Sequence, residues 1–156
     1  MKSIASFLLC TVILFACSKK EDASPSNPYD IKNVTGHYTG GSLSWQKNDN
    51  GTKTNGSDAK GTFDITYLGN NKVKVIVNTV SPVSSTTYEM PLFGKSETPG
   101  TGAGYVFQLL ETTGSLQKNI ALRITMTTVT SAQIDYSQSD NGINETYAVN
   151  GFPSNQ

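Results

Sequence analysis

A charge-relay hydrolase needs a histidine held between an acid and a nucleophile. This 156-residue chain has one histidine, His37. It alternates with Tyr38, so a strand there turns the imidazole to the side away from the core. No Gly-x-Ser-x-Gly turn occurs to carry an activated serine. Calcium chemistry is echoed by Gln46, Asn48, Asn50 and Gly51. Two positions that need carboxylates hold amides there, and Ser57 stands where the closing glutamate belongs. Zinc lacks its cluster of Cys and His. The residue types therefore point to no enzyme, no metal and no cofactor.

Binding chemistry is better represented. Glu145 keeps step with Ile143 and Tyr147, the inward set of its segment. A carboxylate on an inner face must be paired or hydrogen-bonded, or it protonates. It could hold the polar group of a ligand or bond tyrosine hydroxyls. Trp45, Tyr67, Tyr105 and Tyr136 fall on inward phases too, and such a set serves either packing or ligand contact. The candidate ligand-binding residues are Trp45, Tyr67, Tyr105, Tyr136, Glu145 and Tyr147.

The elements that must position them are all strands. From Val34 onward apolar residues recur every second position, and no window sustains a 3.6-residue period. Phe63, Ile65 and Tyr67 alternate with polar neighbours. After Gly69-Asn70-Asn71 the pattern resumes with Val73, Val75 and Val77, which reads as a hairpin. Tyr88, Met90 and Leu92 form a third set, and Pro91 marks an edge or a bulge. Tyr105, Phe107 and Leu109 follow, then Ile120, Leu122, Ile124 and Met126. Ala132, Ile134 and Tyr136 precede the turn Asp140-Asn141-Gly142, which leads into Ile143, Tyr147 and Val149. Arg123 and Asp135 face outward and are placed to pair.

The first strand breaks phase. Tyr38 is even, whereas Leu43 and Trp45 are odd, with Gly40-Gly41 between them. A bulge at the two glycines returns all three to one face. The segments Lys47–Lys60 and Gly94–Gly104, rich in small polar residues, read as the long loops. The count is about eight strands with short connections, which pair antiparallel.

The N-terminus carries the address. Lys2 is followed by an apolar run, Ile4 to Ala16, that is too short to span a bilayer. Leu14, Ala16 and Cys17 resemble the lipobox of bacterial lipoprotein signals, in which the cysteine receives lipid and the preceding residues are removed. The resemblance implies a signal peptide over 1–16 and lipidation at Cys17; the small polar residues and prolines that follow imply a flexible tether over 17–33, and the strand pattern places a barrel domain over 34–153. Several acyl chains on one cysteine suffice for stable anchoring. Ser18-Lys19-Lys20-Glu21-Asp22 resembles the charged export signal of surface lipoproteins of Bacteroidetes type. That implies an outer-membrane protein displayed on the cell surface, with the periplasmic leaflet as the alternative.

A second resemblance covers the first strand. Gly36-His37-Tyr38, followed by Trp45, resembles the Gly-x-Trp opening of lipocalin-like (calycin) barrels, with Tyr38 where that family has tryptophan. The resemblance implies an all-β fold, an antiparallel up-and-down barrel of about eight strands, with a β-sandwich as the alternative. It also implies an interior that binds one small apolar or amphipathic ligand. The other reading is a surface interaction protein with a filled barrel that binds protein or glycan through its loops.

Composition narrows the partners. Lys and Arg number 12, as do Asp and Glu. Loss of Lys2 with the signal leaves 11 against 12, a formal charge of −1. No basic field invites nucleic acid, and the lipid anchor is the one membrane contact implied. The cysteines are Cys10, inside the signal, and Cys17, so no disulfide supports the domain. A monomer is expected.

Overall fold

Alternation of apolar and polar residues builds strands here because each strand has one face to bury and one to wet. The computed structural model describes residues 27–58, 61–78 and 85–154, so the signal peptide expected over 1–16 and the lipidation expected at Cys17 lie outside the described residues. The strands are β1 (Gly36–Asp49), β2 (Thr52–Asp58), β3 (Thr62–Gly69), β4 (Lys72–Asn78), β5 (Thr86–Thr98), β6 (Gly102–Thr113), β7 (Leu116–Met126), β8 (Thr130–Asp140) and β9 (Ile143–Pro153). From β3 to β9 each strand pairs antiparallel with the next, and β9 returns to β1, which pairs β3. Eight strands thus close one antiparallel up-and-down barrel of the lipocalin-like kind. The sandwich alternative fails because a single sheet closes on itself.

The ninth strand, β2, pairs the far half of β1 from Leu43↔Asp58 to Asp49↔Thr52. β3 pairs the near half, from Gly36↔Ile65 to Tyr38↔Phe63. The two registers are continuous, so β2 and β3 are successive segments of a long arm lying against β1. The expected loop over Lys47–Lys60 is therefore mostly strand, and the one over Gly94–Gly104 is a β5–β6 hairpin that turns at Pro99–Thr101. Polar residues on both faces of these stretches erased the alternation that would have marked them.

Closure uses bulges, which bend and twist strands. The β1–β9 register slips by one between Gly40 and Leu43, as the phase break in the sequence required. Tyr38 and Leu43 are consequently both buried. A second slip falls between Leu92 and Gly94, just past Pro91. Above it, among the described residues, no pairing joins β5 to β6: β5 follows β4 and β6 follows β7.

One end of the barrel is plugged. A 3₁₀ turn, Ile31–Val34, is started by Asp30, whose side chain accepts a hydrogen bond from the Lys32 N–H. Val34 is buried, and Tyr29 and Ile31 pack against the core. Tyr38 stacks on Phe63 at 5.1 Å and donates its hydroxyl hydrogen bond to the Val34 carbonyl at 2.8 Å. Residues 28–33, expected in the tether, are thus folded onto the closed end. Their own apolar side chains, Tyr29 and Ile31, provide the reason.

The inward side chains form rungs that cross the sheet from strand to strand. Leu43, Val149, Ile134, Leu122, Phe107 and Leu92 are successive direct partners across β1, β9, β8, β7, β6 and β5. The first five of them are fully buried. This apolar rung fills the lumen at mid-height.

Candidate ligand cup at the barrel mouth

Two residues further toward the mouth, the same strands present an aromatic rung. Trp45, Tyr147 and Tyr136 are direct partners across β1, β9 and β8, continued by Ile120 and Leu109. Tyr136 and Tyr147 stack with ring centres 4.6 Å apart and planes at 11°. Tyr88 crosses the lumen from β5, and its hydroxyl lies 3.0 Å from that of Tyr147. The Tyr88 and Tyr136 rings are 6.3 Å apart. The four rings form a floor over the filled half of the barrel. Gly56 faces Trp45 across the β1–β2 pair, and a Cβ there would stand 2.9 Å from the indole. The absent side chain lets the ring lie over β2.

One rung higher, every inward residue is polar. Lys47, Glu145, Gln138, Lys118 and Glu111 are direct partners in turn across β1, β9, β8, β7 and β6. Lys47 Nζ stands 3.3 Å from Glu145 Oε1, and Lys118 Nζ stands 3.8 Å from Glu111 Oε2. The Tyr136 hydroxyl donates to Gln138 Oε1. The aromatic floor and four of these polar residues, Lys47, Glu145, Gln138 and Lys118, line an open cup of about 320 Å³, with Thr86 on its far side; Glu111 stands outside the lining and pairs with Lys118.

Burial sets the protonation of the floor. It pushes the Tyr147 phenol far above its ordinary value, and the hydrogen bond to Tyr88 adds to this. Burial pushes Tyr136 up to about 12, assisted by Tyr88, Glu145 and Glu111. Tyr88 is also raised by burial, against the opposing effect of its bonds to Tyr147 and Thr86. At neutral pH all three are uncharged, so each hydroxyl both donates and accepts.

Of the six candidate residues, the structure brings together Trp45, Tyr136, Glu145 and Tyr147. Tyr67 and Tyr105 stand elsewhere. Tyr67 lies opposite Val73 toward the closed end, and its N–H donates to Thr35 Oγ1 at 2.9 Å. Tyr105 is buried near the same end and donates its hydroxyl hydrogen bond to the Tyr29 carbonyl at 2.6 Å. Alternation tells which face a residue occupies but not its height along the barrel, and height separates these two from the cup. The sequence reading missed Tyr88, Lys47, Lys118 and Gln138, which line the cup, and Glu111, which pairs with Lys118 beside it. The signal was there: each lies two residues beyond an inward apolar residue of its own strand, in the same phase.

His37 faces outward as expected and is paired, with Nδ1 at 2.6 Å from Asp64 Oδ1. Asp64 Oδ2 also accepts from Asn78 Nδ2 at 3.1 Å. Arg123 and Asp135 form the expected outer-face pair. The amide-rich stretch near Asn48 is a turn, in which Asn48 Oδ1 accepts from the Gly51 N–H at 3.1 Å. Among the described residues no three acidic, histidine or cysteine side chains gather as a metal site.

The chain matches no family model, no curated protein and no solved structure.

Proposed function

We propose that the protein is a lipid-anchored envelope lipoprotein of lipocalin-like type whose barrel mouth binds one small amphipathic ligand. The observation that carries this reading is the succession of rungs. A solid apolar layer closes the lumen, an aromatic layer floors the cup, and a polar layer rims it. Ligand sites are typically concave, largely apolar and provided with a few polar groups for orientation. A cup of about 320 Å³ is at the small end of such sites. The ligand sits at the mouth rather than deep in the barrel, where fully buried side chains fill the space.

The anchor at Cys17 supports a definite orientation. The chain joins the barrel at its plugged end, through Tyr29 to Val34. A tether attached there leaves the mouth on the side away from the bilayer. We place the protein at the outer membrane, on the cell surface, as a monomer without nucleic-acid partners.

Trp45 is the sole tryptophan and lines the cup, so its emission reports on the site. Titration with the amphipathic dye 1-anilinonaphthalene-8-sulfonate should show energy transfer from Trp45. Tyr136→Ala should weaken dye binding at least about tenfold, as loss of a central aromatic contact does. Equal binding by wild type and variant would reject the cup as the site. The anchor is tested by metabolic labelling with a fatty acid, which Cys17→Ser should abolish.

A further inference from the structure

We infer that the cup takes a neutral sugar ring, the terminal residue of a glycan or a free saccharide; this rests on the cup being the binding site.

Two ammonium groups and two carboxylates stand on the polar rung, and each is already matched: Lys47 with Glu145 at 3.3 Å, Lys118 with Glu111 at 3.8 Å. The rung offers no net charge. An ionic ligand would have to break either pair, losing about what it gains. A neutral ligand leaves both pairs intact and uses their surplus. An ammonium has three donors, a carboxylate about four acceptor positions, and an amide two donors beside its oxygen. Gln138 spends its oxygen on the Tyr136 hydroxyl, which leaves its N–H donors for a ligand. Such a set of donors and acceptors, spaced one strand apart at about 4.8 Å, fits a ring edged with hydroxyl groups.

Among the described residues, Leu43, Val149, Ile134, Leu122 and Phe107 are fully buried beneath the aromatic floor and fill the lumen there. An acyl chain or other long apolar tail has nowhere to go. The ligand must be compact, with one flat apolar face for the rings of Trp45 and Tyr136 and a polar edge for the rung. A pyranose has both. Its axial C–H bonds form a weakly positive face, which the negative face of an aromatic ring attracts.

The test uses the full chain and the emission of Trp45. Glucose, galactose, N-acetylglucosamine and their disaccharides are titrated at about 50 and 500 mM salt, beside glucuronate and glucosamine as charged analogues. At least one neutral sugar should bind saturably with a millimolar or tighter dissociation constant. Its affinity should change less than about twofold with salt, and the charged analogue should bind at least about tenfold more weakly. Tyr136→Ala should cost at least about tenfold, whereas Tyr136→Phe, which keeps the ring and the packing, should stay within about threefold. If no neutral sugar binds but the naphthalene dye still does so in a Tyr136-dependent way, the sugar inference falls and the cup stands. Salt-sensitive preference for a charged analogue overturns neutrality. If neither sugars nor dye bind, both readings fail.

Discussion

Val149 and Glu145 lie on one strand, four residues apart and on the same face. Val149 is fully buried, whereas the Glu145 side chain is 39% exposed and bonded to a lysine. The contrast repeats on every neighbouring strand: Leu43 against Lys47 on β1, Ile134 against Gln138 on β8, Leu122 against Lys118 on β7. On these four strands one half makes a core and the other half makes a vessel. The strands are longer than the core needs, and the excess length is what builds the cup. Stability and recognition are therefore divided by height along the barrel, with the aromatic rung as the boundary between them.

The division is broken most directly by large truncations on either side of it. Phe107 is fully buried in the apolar rung. Phe107→Ala should lower unfolding free energy by about 3–5 kcal/mol, through lost burial and the cavity left behind. Tyr136→Ala, at the boundary and open to the cup, should cost clearly less in the same urea titration. Equal losses would mean that the two halves form one core and that the cup has no separate standing.

Alkali attacks both halves through their phenols. Burial pushes Tyr38 at the plugged end and Tyr136 at the floor up to about 12 in the folded protein, from an ordinary value of 10.0. Between pH 10 and 12 the unfolded chain has released protons that the folded chain still holds, so stability falls as pH rises. It is fully present below pH 10. The melting temperature followed by circular dichroism should thus be level up to about pH 10 and drop steeply above it. Tyr38→Phe and Tyr136→Phe should each flatten the drop. A curve unchanged by both would show that neither phenol is withheld from water.

Much of the lower half was legible in the sequence because period-two alternation is a statement about burial. Ile65, Val73 and Ile134 are each flanked by polar residues, and that flanking marked both their strands and their face. The Gly40-Gly41 phase break located the bulge for the same reason. The upper half was harder. Lys47, Lys118 and Glu111 are charged, so nothing in their type marks them as inward, and only the phase carried on from Trp45, Ile120 and Leu109 does. Phase alone groups Tyr67 and Tyr105 with the cup residues, although phase does not encode height. Height comes from the cross-strand register, which is set by turns such as Asn50-Gly51 and Asn141-Gly142. Those turns do appear in the chain, with φ of 47° and 94° and of 44° and 86°. Counting from them would have aligned the polar rung.

The boundary itself can be probed with a small change. At Gly56 a methyl group would stand 2.9 Å from three atoms of the Trp45 indole, closer than real contacts permit. Gly56→Ala should force the ring off β2 and into the cup, at a cost of about 1–3 kcal/mol for overpacking. The same shift should alter Trp45 emission and weaken dye binding while leaving the lower core alone. Unchanged emission would show that β2 has moved instead of the ring.

The smallest effect is expected from the charges on the rim, and it separates the two halves most finely. Lys47 and Glu145 are each about two-fifths exposed, so water screens them and holding the pair costs side-chain freedom. A double-mutant cycle on Lys47→Met and Glu145→Gln should return a coupling below about 1 kcal/mol in unfolding free energy. The same cycle read out as ligand affinity should show a larger coupling, because both residues face the bound molecule. If the coupling is instead larger in stability than in binding, the polar rung belongs to the core, and the mouth of the barrel is packing rather than a site.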